Sequence, residues 1–152
     1  MKLLTELICP VSPERVDENR VRVTALGVIF IMGVFFVTGN ALFPALMLLD
    51  FFIRAFTRLS YSPLSWLAYN FVKAMGTKPV LIDKAPKVFA ARIGFLFTLI
   101  ITAASILGFS FLANIVGVTL VLFAFLECGL NFCTGCWVYT VVVYPRVRKM
   151  KY

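Results

Sequence analysis

The residues best suited to chemistry in this chain are Cys133 and Cys136, two cysteines in the apolar stretch GLNFCTGCWVY. A thiol pair with two intervening residues suits thiol–disulfide exchange, because one thiolate attacks and the second thiol resolves the mixed disulfide. Cysteine is also an ordinary buried apolar residue, so packing is the alternative interpretation of this CxxC pair. For Cys128, which has no partner at this spacing, packing is the favoured interpretation.

Two further residues are candidates to act with the pair. Cys9 stands in an N-terminal CP dipeptide, ahead of a predicted helix with Ser12 as its cap and Pro13 as its first residue. Glu127 is the single acid in the last two apolar runs, where an unpaired charge is costly and marks a functional position by default. It precedes Cys133 by roughly 1.7 helical turns and could exchange the proton that thiol chemistry requires.

A few charges near the apolar runs could support this chemistry. Asp50 and Arg54 are spaced i, i+4, which favours an ion pair within one helix. Alternatively, Arg54, Arg58 or Arg92 could pair with Glu127, or could hold a nearby thiolate in its ionised form.

Composition assigns the chain to the membrane proteins. It has 152 residues, 61% of them hydrophobic, and a mean hydropathy of +0.95, whereas about 45 to 50% of residues are apolar in soluble domains. Nothing resembles a linker, so residues 1–152 are predicted to form a single domain. The chain contains no histidine, the commonest proton-transfer and metal-binding side chain, so chemistry falls to the cysteines and a few acids.

Four apolar runs predict an all-α fold, an integral membrane four-helix bundle. A helix needs about 20 apolar residues to cross a hydrocarbon core about 30 Å thick. The second run reaches this length if Arg54 and Arg58 hold their guanidinium groups among the lipid headgroups; the alternative is a hairpin that enters the membrane without crossing it. The predicted spans are residues 21–38, 41–58, 88–111 and 114–143.

Turn residues predict where the spans are connected. Gly39 and Asn40 are a helix-stop signal between the first two runs, and the connection between the last two is expected around residues 110–114. Ala104 and Gly108 form a small-xxx-small step, which favours close helix packing within the bundle or, as the alternative, between copies of the chain.

A short amphipathic helix is predicted at residues 63–75, between spans two and three. Ser62 and Pro63 are typical of a helix start and Gly76 of a stop. The apolar positions at helical spacing are Leu64, Leu67, Ala68, Phe71, Val72 and Met75. With Trp66, Tyr69 and Lys73 also present, the helix is expected to lie flat on the cytoplasmic leaflet or to cap the bundle.

The cations indicate the orientation of the chain. All 15 Lys and Arg residues precede or open the first run, lie between the end of the second span and the start of the third, or follow the fourth. With four spans these blocks share one membrane face, which the positive-inside rule places in the cytoplasm with both termini. The net charge of +8 is explained by orientation and attraction to anionic lipid, without a nucleic-acid partner.

Several stretches, taken in order, resemble one protein family. They are CP at Cys9, DFFIR at 50–54, SPL at 62–64, PKVFAARIGF at 86–95, LE at 126–127 and FCTGC at 132–136. This combination resembles the small bacterial four-span membrane proteins known as domain of unknown function 4395. The resemblance implies a four-helix bundle in the bacterial inner (cytoplasmic) membrane, with Cys9, Cys133 and Cys136 as motif cysteines. It also implies a role beside thioredoxin-like or sulfur-transfer proteins.

The leading functional hypothesis is a membrane-embedded thiol–disulfide oxidoreductase. Cys133 and Cys136 would cycle between dithiol and disulfide, Cys9 would exchange with them or present to a partner, and Glu127 would manage protons. A quinone is conceivable as electron acceptor, but no sequence feature singles one out, and no other cofactor is identified.

Two alternatives are not enzymes. Cys9, Cys133 and Cys136 could bind and carry a soft metal ion such as Cu(I) or Hg(II), which prefers sulfur ligands. They could instead bind and carry a sulfur species. The chain could also be a scaffold that holds a thioredoxin-like or sulfurtransferase protein at the lipid bilayer.

Overall fold

The computed structural model describes residues 15–57, 62–130, 137–143 and 145–146. Apart from turns and two short strands, these residues are helical, so the predicted all-helical fold is confirmed. In chain order the elements are β1 (Arg15–Asp17), α1 (Glu18–Thr38), α2 (Leu42–Phe56), α3 (Pro63–Met75), β2 (Leu81–Asp83), α4 (Lys84–Ile106), α5 (Ser110–Leu130) and a π-helical segment (Tyr139–Val143).

Within the described residues, three stretches are long and apolar enough to cross a membrane, namely Glu18–Thr38, Lys87–Ile106 and Ser110–Leu130. Only 22% to 33% of their apolar windows is buried inside the molecule, so most of this apolar surface faces outward, which is typical of membrane association. Helix α2 has 15 residues, about 22 Å at the helical rise, and is shorter than a core of about 30 Å. It ends at Phe56, because Thr57 is extended, whereas the predicted span runs to residue 58, which lies outside the described residues.

The start of α1 differs from the prediction of a helix beginning at Pro13. Residues Arg15–Asp17 are extended and pair antiparallel with Leu81–Asp83, which excludes helix at these positions. Asp17 caps α1 instead, accepting a hydrogen bond from the Asn19 amide at 3.1 Å. The same carboxylate accepts from the amide of Val80 at 3.3 Å, so one side chain joins the helix start to the strand pair.

The first helical hairpin and helix α3 begin and end near the predicted residues. Gly39 follows α1 with φ +66°, a left-handed conformation that glycine adopts without steric cost. Ser62 caps α3 by accepting from the Ser65 amide, and Gly76 ends it. The buried face of α3 is rotated from the predicted apolar stripe, because its buried members are Ser65, Ala68 and Val72.

The connection between α4 and α5 lies at residues 107–109, before the predicted residues 110–114. Gly108 has φ +82°, and the Phe109 amide donates to the Ala104 carbonyl at 2.8 Å, which closes the helix end. Residues 110–114 form the first turn of α5. The expected packing of Gly108 within the bundle is therefore wrong, since among the described residues a Cβ there would meet nothing within 4 Å. Ala104 is buried.

The core contains large apolar side chains beside glycines that let helices approach closely. A Cβ on Gly94 of α4 would lie 2.5 Å from the Phe51 ring of α2, and one on Gly117 of α5 would lie 3.0 Å from the Phe36 ring of α1. Met32 is fully buried, and its Cε would lie 3.1 Å from the same Cβ on Gly117. These close approaches join α2 to α4 and α1 to α5 in one bundle.

Candidate functional site

The three motif cysteines, Cys9, Cys133 and Cys136, lie outside the described residues, as does Arg58. The structure does describe the residues that adjoin these segments in the sequence. The geometry of the candidate site is therefore built from Glu127 and its neighbours.

Glu127, near the end of α5, forms an ion pair with Lys87, near the start of α4. The distance from Lys87 Nζ to Glu127 Oε1 is 2.7 Å, and the two side chains are 14% and 23% exposed. A charge-assisted hydrogen bond of this length is strong, and partial burial reduces its screening by water. The pair holds the ends of the two helices together.

Sequence reasoning proposed Arg54, Arg58 or Arg92 as partners for Glu127 and missed Lys87. The position of the turn between α4 and α5 determines which residue of α4 lies opposite Glu127, and so identifies Lys87 as its partner. Lys87 lies 21 residues before Gly108, and Glu127 lies 19 residues after it, so an antiparallel hairpin brings them to one level. If the turn lies at residues 110–114, as expected from the sequence, Lys87 and Glu127 are at unequal distances from it and are not predicted to be opposite each other.

Asp50 and Arg54 form the ion pair predicted from their spacing. Asp50 is 3% exposed, and its Oδ2 accepts from Arg54 Nε at 2.7 Å and from Arg54 Nη2. Its Oδ1 accepts from the Ser62 hydroxyl and, at 3.1 Å, from the Leu64 amide. The carboxylate is thus fully engaged in holding the first turn of α3 against α2, and the Arg54 guanidinium serves Asp50 rather than Glu127.

Arg92 lies on α4 with its Nε buried, and among the described residues no acceptor for this atom is found. Cys128, next to Glu127, is partly buried, packs against the apolar core and is a free thiol, in agreement with a packing role. Within the described part of the chain, no group of three metal-ligating side chains is found.

The two cysteine-bearing ends of the chain are tethered close to each other. Arg15 pairs with Asp83 in the β1–β2 ladder, and Lys87, which binds Glu127, is four residues beyond Asp83, about one helical turn. The π-helical segment that follows the CxxC pair also contacts α4. Cys9 precedes Arg15 by six residues, a span of at most about 22 Å, and Cys133 follows Leu130, the last residue of α5, by three, a span of at most about 11 Å. The lengths of both segments therefore allow the thiols to meet near the start of α4.

Comparisons with known proteins agree with the resemblance noted in the sequence. No curated protein and no solved structure matches the chain. The family profile described as Domain of unknown function (DUF4395) matches residues 16–143, which cover most of β1, the five described α-helices and the CxxC pair. The chain therefore belongs to the DUF4395 family.

Proposed function

We propose that this protein is a membrane-embedded thiol–disulfide oxidoreductase in which Cys133 and Cys136 cycle between dithiol and disulfide. One thiolate attacks the disulfide of a partner protein, and the second thiol resolves the mixed disulfide. The partner leaves as a dithiol and the pair becomes a disulfide, so two electrons and two protons move together. Cys9 exchanges with the pair or presents the disulfide to a thioredoxin-like or sulfurtransferase partner.

The observation that carries this proposal is the tethering of both cysteine-bearing segments near the start of α4. The β1–β2 ladder holds the N-terminal segment, and the Lys87–Glu127 ion pair holds the end of α5. In this arrangement Glu127 accepts and returns thiol protons. The Lys87 ammonium adds positive charge, which favours a thiolate nearby.

The proposal includes the membrane arrangement. The chain crosses the bacterial inner membrane four times, with both termini and the three motif cysteines on the cytoplasmic side. Outward-facing apolar surface on α1, α4 and α5 supports insertion, and the three blocks of cations support the orientation.

Thiol trapping at graded redox potentials, on the full chain in membranes, tests the proposal. We expect Cys133 and Cys136 to convert together in a two-electron transition, with about 30 mV for each tenfold change in the dithiol-to-disulfide ratio. Cys133→Ser should abolish the transition of Cys136, and Cys9→Ser should slow exchange with a disulfide substrate. The matched control is Cys128→Ser, which removes a nearby thiol and should leave the midpoint unchanged.

Two other outcomes would replace this function. Tight retention of Cu(I) or Hg(II) without disulfide formation would indicate a soft-metal protein. Independent thiols that show no shared midpoint would leave a scaffold whose cysteines serve in packing.

A further inference from the structure

We propose that α3 is embedded obliquely in the lipid and completes the membrane crossing that α2 begins. Its outer face is then covered by phospholipid acyl chains. This inference concerns a surface distant from thiol chemistry and does not depend on the proposed redox function.

The contacts of α3 with α1 indicate that it slopes. The Leu64 side chain, in the first turn of α3, lies against Gly27, where a Cβ would come within 2.6 Å of Leu64 Cδ1. Beyond the end of α3, the carbonyl of Lys78 accepts from the side-chain amide of Asn19 at 3.0 Å. Gly27 and Asn19 are eight residues apart on α1, about 12 Å along its axis. The first turn of α3 therefore lies deeper than Lys78, which follows the end of the helix, and the long Arg20 side chain extends from the shallow end of α1 to donate to the Ser65 carbonyl at 3.0 Å.

Distances from the hairpin turn give the depth at which α3 starts. Gly27 lies 11 residues before Thr38, and Asp50 lies eight residues after Leu42, which places both about 12 to 17 Å from the turn. Because a hydrocarbon core is about 30 Å thick, the first turn of α3 lies near its middle. Helix α2 ends at Phe56, about 21 Å from the turn, so α2 alone falls short of the opposite face.

The polar network at this junction fits such a depth. In lipid every backbone polar group needs an internal partner, and a buried charge needs a paired one. The Leu64 amide is satisfied by Asp50, the Ser65 amide by Ser62 and the Asp50 charge by Arg54. The start of α3 can therefore lie in an apolar medium with these groups satisfied.

The outer surface of α3 has the chemistry of a lipid-facing helix. Leu67, Phe71 and Met75 form a stripe at i, i+4 and i+8 and are 57%, 55% and 62% exposed. Cations lie toward the shallow end, at Lys73 and Lys78, and the sequence contains no acid between Asp50 and Asp83. Apolar residues at the deep end and cations at the shallow end match an anionic lipid leaflet.

Depth-dependent quenching by brominated phospholipids tests the proposal in liposomes containing the full chain. Trp66 and Trp137 are replaced by Phe, and single tryptophans are introduced as Leu67→Trp, Phe71→Trp or Met75→Trp. We expect all three to be quenched, with quenching by bromines deep in the acyl chains falling stepwise from position 67 to 75. Asn70→Trp, on the neighbouring face of the same helix, serves as a check that the introduced ring does not alter folding.

Each other result would overturn the proposal. Equal quenching depth at the three positions would mean that α3 lies flat. Quenching by aqueous iodide alone would place the stripe in water. The absence of quenching by either reagent would mean that a protein surface covers it.

Discussion

At the residue scale, the Lys87–Glu127 contact is predicted to stabilise the fold through its charge. Lys87→Glu or Glu127→Lys alone places two like charges at a 2.7 Å contact in a partly buried site. We expect each single change to lower the free energy of unfolding by roughly 2 to 4 kcal/mol, between the values for surface and buried pairs. Unfolding in mixed detergent micelles measures the change.

The double exchange, Lys87→Glu with Glu127→Lys, provides the control for this prediction. It restores opposite charges across the same two helices, so we expect it to recover most of the lost stability, which a double-mutant cycle reports as coupling. If the losses of the two single variants simply add, the two side chains do not interact directly.

At the element scale, Asp50 is predicted to be the attachment of α3 to the bundle. In Asp50→Ala, the Arg54 guanidinium is left buried without its partner, and the Ser62 hydroxyl and Leu64 amide lose their acceptor. We expect a loss of about 3 to 5 kcal/mol, as for a broken buried ion pair. Hydrogen exchange of the α3 amides should also increase, because the first turn of the helix is released.

The chain offers a matched control in a second i, i+4 ion pair. Arg22 Nε lies 3.5 Å from Glu18 Oε1 on α1, and the Arg22 side chain is 41% exposed. Arg22→Ala should therefore cost less than about 1 kcal/mol, as exposed pairs do, and should leave α3 protected from exchange. A similar loss in both variants would mean that burial adds nothing to the Asp50 network.

Helix ends that depend on neighbouring residues were predicted well from the sequence. Features that depend on contacts between distant residues were not predicted. The ends of α3 follow from Ser62 and Gly76, whose effects are confined to neighbouring residues. The turn at Gly108 was missed because apolar residues flank it on both sides, so polarity does not mark it. The β1–β2 ladder joins three-residue strands far apart in sequence, and no local pattern predicts such pairing.

The same reasoning applies to burial and to the candidate site. Small residues such as Ser65 and Ala68 form the buried face of α3, because they allow α3 to lie close to α1. A ranking by hydrophobicity selects Leu67 and Phe71 instead, which face outward. The Asp50–Arg54 pair was predictable from the spacing of the two residues. The Lys87–Glu127 pair could be predicted only from the position of the turn between α4 and α5.

At the scale of the whole molecule, the distribution of charge predicts which ends of the helices face water outside the cell. The Gly39–Asn40 turn and the Gly108 turn contain no Lys or Arg, in contrast to the opposite ends of the helices. We expect Asn40→Cys and Phe109→Cys, each in a chain without its four native cysteines, to react in intact cells with a membrane-impermeant maleimide. A cysteine appended after Tyr152 should react only once the membrane is permeabilised.

The Asn40 position also distinguishes a crossing from a hairpin that enters the membrane without crossing. If α2 and α3 together complete the second crossing, Asn40 and Phe109 lie on the same outer face and both label from outside. If the hairpin only enters the membrane, Asn40→Cys stays unlabelled from outside while Phe109→Cys reacts, although both termini remain inside. Labelling of the C-terminal cysteine in intact cells would contradict the orientation itself, and with it the cytoplasmic position of the thiol site.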